Sequence, residues 1–135
     1  MFEITSITDS LTAVVEIKHP ISGVGIGATV TLAGPENPVR KAIDFAKQRR
    51  LRASIQKTGK IEFSDPADDE LDLIDKLASC TLDWSGIMDS GNAVPFSKAA
   101  ASKLYATDGL GWLRNQLATA LDERERFITA SALTS

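Results

Sequence analysis

Apolar and polar residues alternate along this chain in two different rhythms. Leu11, Ala13, Val15 and Ile17 fall on one side of a period-two pattern, with Thr12, Val14, Glu16 and Lys18 on the other. That period is that of a strand with one face on a core, and Pro20 ends the run because it has no backbone donor. Ile26, Ala28, Val30 and Leu32 alternate in the same way against Gly25, Gly27, Thr29 and Thr31. The two runs predict an antiparallel hairpin turning at residues 20 to 23, and the opening FEITSI reads as a third strand. GVGIG lies inside the second strand pattern, lacks the GxGxxG spacing and opens no helix, so it is read as backbone freedom at a turn or bulge and not as a phosphate loop.

Beyond residue 35 the period lengthens. Asn37 followed by Pro38 is a helix start: the amide side chain accepts from an orphan N–H, and proline at the first helical position has none to lose. Val39, Ala42, Ile43 and Ala46 then recur at helical spacing, predicting a basic helix over 38–54 and a break at Gly59. A second helix begins near Ser64, Asp65 or Pro66, with Asp68, Asp69 and Glu70 in its first turn and Leu71, Ile74, Leu77 and Ala78 on its apolar face. Ser97 caps a short helix through KAAASKLYA, and Asp108–Gly109 makes a turn. Leu113, Leu117, Ala120, Leu121 and Ile128 then form the stripe of a final helix, read as the longest.

The expected fold class is α+β, a small N-terminal antiparallel sheet (a hairpin or three strands) followed by about four helices that cover one face. One domain spans 1–135: β-rich to 34, two helices over 35–80, a turn segment over 81–97, C-terminal helices over 98–130 and a frayed tail over 131–135. A chain of 135 residues, 43% hydrophobic and 24% charged, suits one packed core and excludes a wholly disordered or fibrous class. The single cysteine, Cys80, allows no intramolecular disulfide and no thiolate cluster. MFEITSITDS has no basic stretch leading into an apolar run, and no window approaches the length of a membrane span, so neither a signal peptide nor an embedded segment is expected.

Net charge is −3, but the charges come in blocks. Arg40, Lys41, Lys47, Arg49, Arg50, Arg52, Lys57 and Lys60 make up eight of the 15 cations and are accompanied by one acid, Asp44. Glu62, Asp65, Asp68, Asp69, Glu70, Asp72 and Asp75 follow with no cation among them. The two blocks are placed to face each other. Each also has a bland explanation, since cations favour a helix carboxyl end and acids an amino end.

Candidate chemistry is sparse. His19 stands beside Pro20 with no nucleophile or orienting acid near it in sequence, and reads as structural or solvent-exposed. Cys80 closes an apolar helical pattern and reads as a small buried hydrophobe. The acidic run lacks the ligand offsets and central glycine of a calcium loop, and Asp83, Asp89, Ser90 and Asn92 fail the same test. No catalytic, cofactor or metal site is therefore expected. The cluster Arg49, Arg50 and Arg52 could track phosphates, but its acidic neighbour and the lack of interleaved aromatics weigh against nucleic acid.

CTLDWSGIMDSGNAVPFS, residues 80 to 97, reads as architecture: an extended TLDW, a turn at DSGN and an extended AVPF leading to the Ser97 cap. Trp84 and Phe96 are expected to meet across the turn, Asp89 to bond backbone donors two residues on, and Gly91 to take positive φ. Trp84, Gly86, Ile87, Asp89, Gly91, Pro95, Phe96 and Ser97 together resemble the signature of tail assembly chaperones of long-tailed phages. The layout of hairpin, basic helix, acidic helix, motif and further helices is similar too, although the glycine-rich second strand departs from it.

The resemblance implies a non-enzymatic protein that binds the tape measure protein, helps recruit tail tube subunits, works in the host bacterial cytoplasm and is absent from the finished virion. A homo-oligomer is compatible with it. Trp112 and the Arg49, Arg50 and Arg52 cluster are candidate partner contacts, each weighed against a packing or solvated role. The alternative is a small nucleic-acid-binding accessory protein using the basic helix; an enzyme comes third.

Overall fold

A computed structural model describes residues 2–60 and 65–130. The tail at 131–135 and Ser64, one of three candidate starts for the second helix, lie outside them. The strands are β1 (Ile7–Asp9), β2 (Thr12–Lys18), β3 (Gly25–Ala33), β4 (Thr81–Ser85), β5 (Met88–Asp89), β6 (Asn92–Ala93) and β7 (Ile128–Ala130). The helices are α1 (Pro38–Thr58), α2 (Pro66–Cys80), α3 (Lys98–Tyr105) and α4 (Gly111–Asp122), with 3-10 turns at Ile4–Ser6 and Arg124–Phe127. The fold is α+β, as the two rhythms predict.

The main sheet is antiparallel with order β2-β3-β4. Its third strand comes from residues 81–85, not from FEITSI; Ile4–Ser6 coils into a 3-10 turn and β1 pairs with β7 instead. The alternation in β2 holds: Ala13, Val15 and Ile17 turn inward, and Leu11, just before the strand, is exposed. The β2–β3 register shifts between Glu16 and Lys18, opposite Gly27 at φ +83°. This bulge takes Ile26 off the inner face, leaving it 50% exposed, while Ala28, Val30 and Leu32 stay buried.

Ile74, Leu77 and Ala78 of α2, Ala101 and Tyr105 of α3, and Leu113, Leu117 and Leu121 of α4 close the core over the sheet. Leu71 lies one turn too early on α2 to reach it and is exposed. The longest helix is α1, with 21 residues against 12 in α4, which ends at Asp122, so Ile128 belongs to β7 and not to the α4 stripe. The starts are as the local chemistry requires: Asn37 Oδ1 accepts from Val39 N–H at 3.0 Å, and Asp65 Oδ1 from Ala67 N–H at 2.8 Å.

Helix α1 departs most from expectation. Val39 and Ala42 are exposed, Ile43 and Ala46 are half-buried, and the one buried side chain is a cation, Arg40, at 7% exposure. Its guanidinium donates to Ala33 O at 3.3 Å and Leu121 O at 2.9 Å and lies 5.8 Å from the Phe127 ring centre. One planar fork thus joins β3, α4 and the 3-10 turn after it, a task that suits arginine and not lysine. Past Ala46 no α1 residue is buried. No described helix is long and apolar enough to cross a membrane.

Candidate partner-binding surfaces

The 81–97 segment is built from inside outward. Thr81 Oγ1 donates to Leu77 O at 2.7 Å, so its contact with the Tyr105 hydroxyl at 2.8 Å has the phenol as donor. Burial pushes the Tyr105 pKa up to about 12. Three residues on, Trp84 is buried and meets Phe96 edge to face at 5.2 Å, while its Nε1–H donates to Val94 O at 2.8 Å. The chain then turns at Gly86, φ +76°, where a Cβ would stand 2.3 Å from Gly27 O. Only glycine fits that approach of β4 to β3.

The ribbon β5–β6 pairs Met88 with Ala93 and Asp89 with Asn92. Ser90 at φ +50° and Gly91 at φ +79° form the two-residue loop, the hairpin turn with positive φ at both central positions. Asp89 does not bond the backbone two residues on as expected; its carboxylate accepts from Ser90 Oγ at 3.4 Å, because the ribbon ladder already fixes the turn. Beyond Phe96, Ser97 Oγ accepts from Ala100 N–H at 3.0 Å. Lys98 Nζ reaches back to Ser79 O at 2.8 Å and Thr81 O at 2.6 Å, capping the carboxyl end of α2. Trp84, Gly86 and Phe96 therefore hold the segment together, whereas Asp89, Gly91 and Pro95 are exposed.

A second surface lies between α1 and α2, closed at one end by α4, and encloses about 900 Å³. Half-buried Ile43, Ala46, Leu73 and Ala118 give it an apolar floor, and Leu51 adds a side chain that is 52% exposed. Lys47 and Arg50 stand on the α1 wall, Asp72 and Asp75 on the α2 wall. Asp44 of α1 and Lys76 of α2 bridge the walls at 3.2 Å. The two blocks line facing walls, but the pair that bridges them has the opposite polarity: its acid belongs to the basic block and its cation follows the acidic one. Lys47, Arg50, Asp72 and Asp75 make no ion pair among the described residues.

The remaining candidates are scattered. Trp112, in the first turn of α4, is half-buried against the core. Of the arginine cluster only Arg50 lines the groove; Arg49 and Arg52 are exposed outside it. Exposed His19 holds its turn, Nδ1 accepting from Ile21 N–H at 3.1 Å and Ser22 N–H at 3.3 Å. Cys80 is buried, and desolvation raises its thiol pKa, which disfavours the reactive thiolate. Among the described residues no group of three or more His, Cys, Asp or Glu side chains is arranged to hold a metal ion.

The apolar floor was not anticipated as a site. Its sequence signal is the meeting of two oppositely charged helices across a short break, which predicts an antiparallel pair with both blocks along one seam. Comparison with protein-family models, curated proteins and solved structures finds no match to this chain.

Proposed function

We propose that this protein is a non-enzymatic assembly chaperone for the tail of a long-tailed phage or prophage, acting in the host bacterial cytoplasm. In this reading the groove between α1, α2 and α4 holds helical segments of the tape measure protein, and the complex helps recruit tail tube subunits. The observation that carries it is the groove itself: an apolar floor, open to solvent, between two charged walls. That is the shape that receives the apolar stripe of an amphipathic helix, with burial supplying affinity at about 25 cal/mol per Å² of apolar surface before the costs of ordering. The resemblance at Trp84, Gly86, Asp89, Gly91, Pro95 and Phe96 supports the same reading and names the partner.

Co-expression with fragments of the tape measure protein from the same genome tests it. The expected outcome is that at least one otherwise insoluble helical fragment becomes soluble and co-purifies, and that the complex survives roughly 0.5 M salt, where exposed charge interactions are largely screened. Exposed Arg49, Arg52 and Lys57 make no ion pair among the described residues, which favours a second reading as a nucleic-acid accessory protein. Rescue of no fragment, together with retention on nucleic acid that falls steeply with salt, would replace the first reading by the second.

A further inference from the structure

We propose that the groove selects the direction of the helix it holds. The inference rests on the groove being the partner site and adds the partner's chemistry: an amphipathic helix whose apolar stripe is flanked by acids on one side and bases on the other.

The two walls carry opposite charge. Lys47 and Arg50 line one and Asp72 and Asp75 the other, and the sole bridge described between them is Asp44–Lys76 at 3.2 Å. Beyond that bridge Lys47, Arg50, Asp72 and Asp75 form no ion pair among the described residues, so these four charges face whatever lies between the walls. The α1 wall runs from Ala42 to Leu51, about 14 Å at 1.5 Å per residue, or two to three turns of a bound helix.

A helix resting on the floor by its apolar stripe can lie in two directions. Turning it end for end keeps the stripe down but exchanges its flanks. If one flank is acidic and the other basic, only one direction sets acids against Lys47 and Arg50 and bases against Asp72 and Asp75. The other sets like against like at all four positions. Exposed pairs contribute little singly, but four changing from attraction to repulsion give a preference on the order of 10- to 100-fold at low salt. The preference shrinks as salt rises, while the apolar contribution remains. A groove with uniform walls would hold the same helix equally well both ways.

The test uses the full chain and two synthetic amphipathic helices of identical composition and apolar stripe, whose Glu and Lys flanks are exchanged. Each carries a nitroxide at its amino end, and relaxation enhancement is read by NMR at the Ala42 and Leu51 ends of the groove. The expected result is that one peptide bleaches one end and the other peptide the opposite end. In the variant Lys47→Glu, Arg50→Glu, Asp72→Lys, Asp75→Lys, each peptide changes ends. Bleaching of both ends alike, or of the same end by both peptides, overturns the direction while leaving helix capture intact. Absence of any groove signal with either peptide overturns the proposal altogether. The wild-type comparison stands even if the fourfold variant does not fold. Capture of tape measure fragments in co-expression, measured separately, tells a failed direction from a failed chaperone reading.

Discussion

The 81–97 segment and the second half of α1 are both dense in residues that attract attention, yet the fold treats them in opposite ways. In the first, Trp84 is 8% exposed and bound at both ring edge and indole nitrogen, and Lys98 is committed to carbonyls at the end of α2. In the second, nothing after Ala46 is buried and Arg49, Arg52 and Lys57 reach into solvent. An unusual cluster of residue types therefore does not distinguish structure from surface; the number of fixed partners around each side chain does. The aromatic segment is the joint between α2, the sheet and α3. The basic helix is an arm that is anchored at its root by Arg40 and free to present its far half.

The sharpest way to break this contrast is at the joint. Trp84→Ala removes a buried ring, its edge-to-face partner and an indole hydrogen bond, and should destabilise the protein by about 3–5 kcal/mol in urea denaturation. Gly86→Ala belongs with it, because the new methyl would meet the Gly27 carbonyl oxygen at 2.3 Å. Gly91→Ala, in the same segment but with nothing within 4 Å of the added carbon, should cost only about 1 kcal/mol for its positive φ. Equal effects at the two glycines would show that β4 and β3 do not approach as described.

A smaller effect comes from the root of that joint, where the phenol of Tyr105 donates to Thr81. Its folded pKa of about 12 lies above the ordinary value of 10.0, so the folded protein retains a proton that the unfolded chain gives up. Stability is then fully present below pH 10 and lost as pH rises from 10 to 12, by roughly 2–3 kcal/mol for a shift of this size. Tyr105→Phe should lose about 1 kcal/mol at neutral pH with the hydroxyl's hydrogen bond, and should flatten this alkaline decline. Urea midpoints from pH 8 to 11.5 for both proteins measure it; an equally steep decline in the variant would place the titrating group elsewhere.

How much of this contrast could be read from the chain depends on the range of the interactions. Asn37–Pro38, Asp65–Pro66 and Ser97 announce helix starts because the bonds they make are within three residues. The inner faces of β2 and β3 follow from alternation, and the Trp84–Phe96 contact from a turn between them. The pairing of β1 with β7 has no such signal: three-residue strands from opposite ends of the chain have no period to read. Nor does the burial of Arg40, which depends on the Leu121 carbonyl 81 residues away. The spacing of Val39, Ala42, Ile43 and Ala46 correctly implies a helix but not a core helix. The stripe stops at Ala46, and the helix continues for three more turns with only Leu51 and Ile55 in apolar positions near it.

The smallest expected effect is therefore the one that tests the arm. Arg49→Ala and Arg52→Ala remove exposed side chains that have no ion-pair partner among the described residues, so each should change stability by less than about 0.5 kcal/mol. Phe45→Ser adds a polar group where an apolar one is half in water, and should stay close to the same limit despite the size of the ring. Hydrogen exchange gives the matching local measurement. Amides of α1 beyond residue 48 should exchange through openings that cost several kcal/mol less than those exposing Ile74 to Ala78 of α2, which share the core. A loss above about 1 kcal/mol at Arg49 or Arg52, or protection in the arm equal to that of α2, would mean that the second half of α1 is packed and not presented. The groove would then be a filled seam, and the partner surface would have to be sought elsewhere.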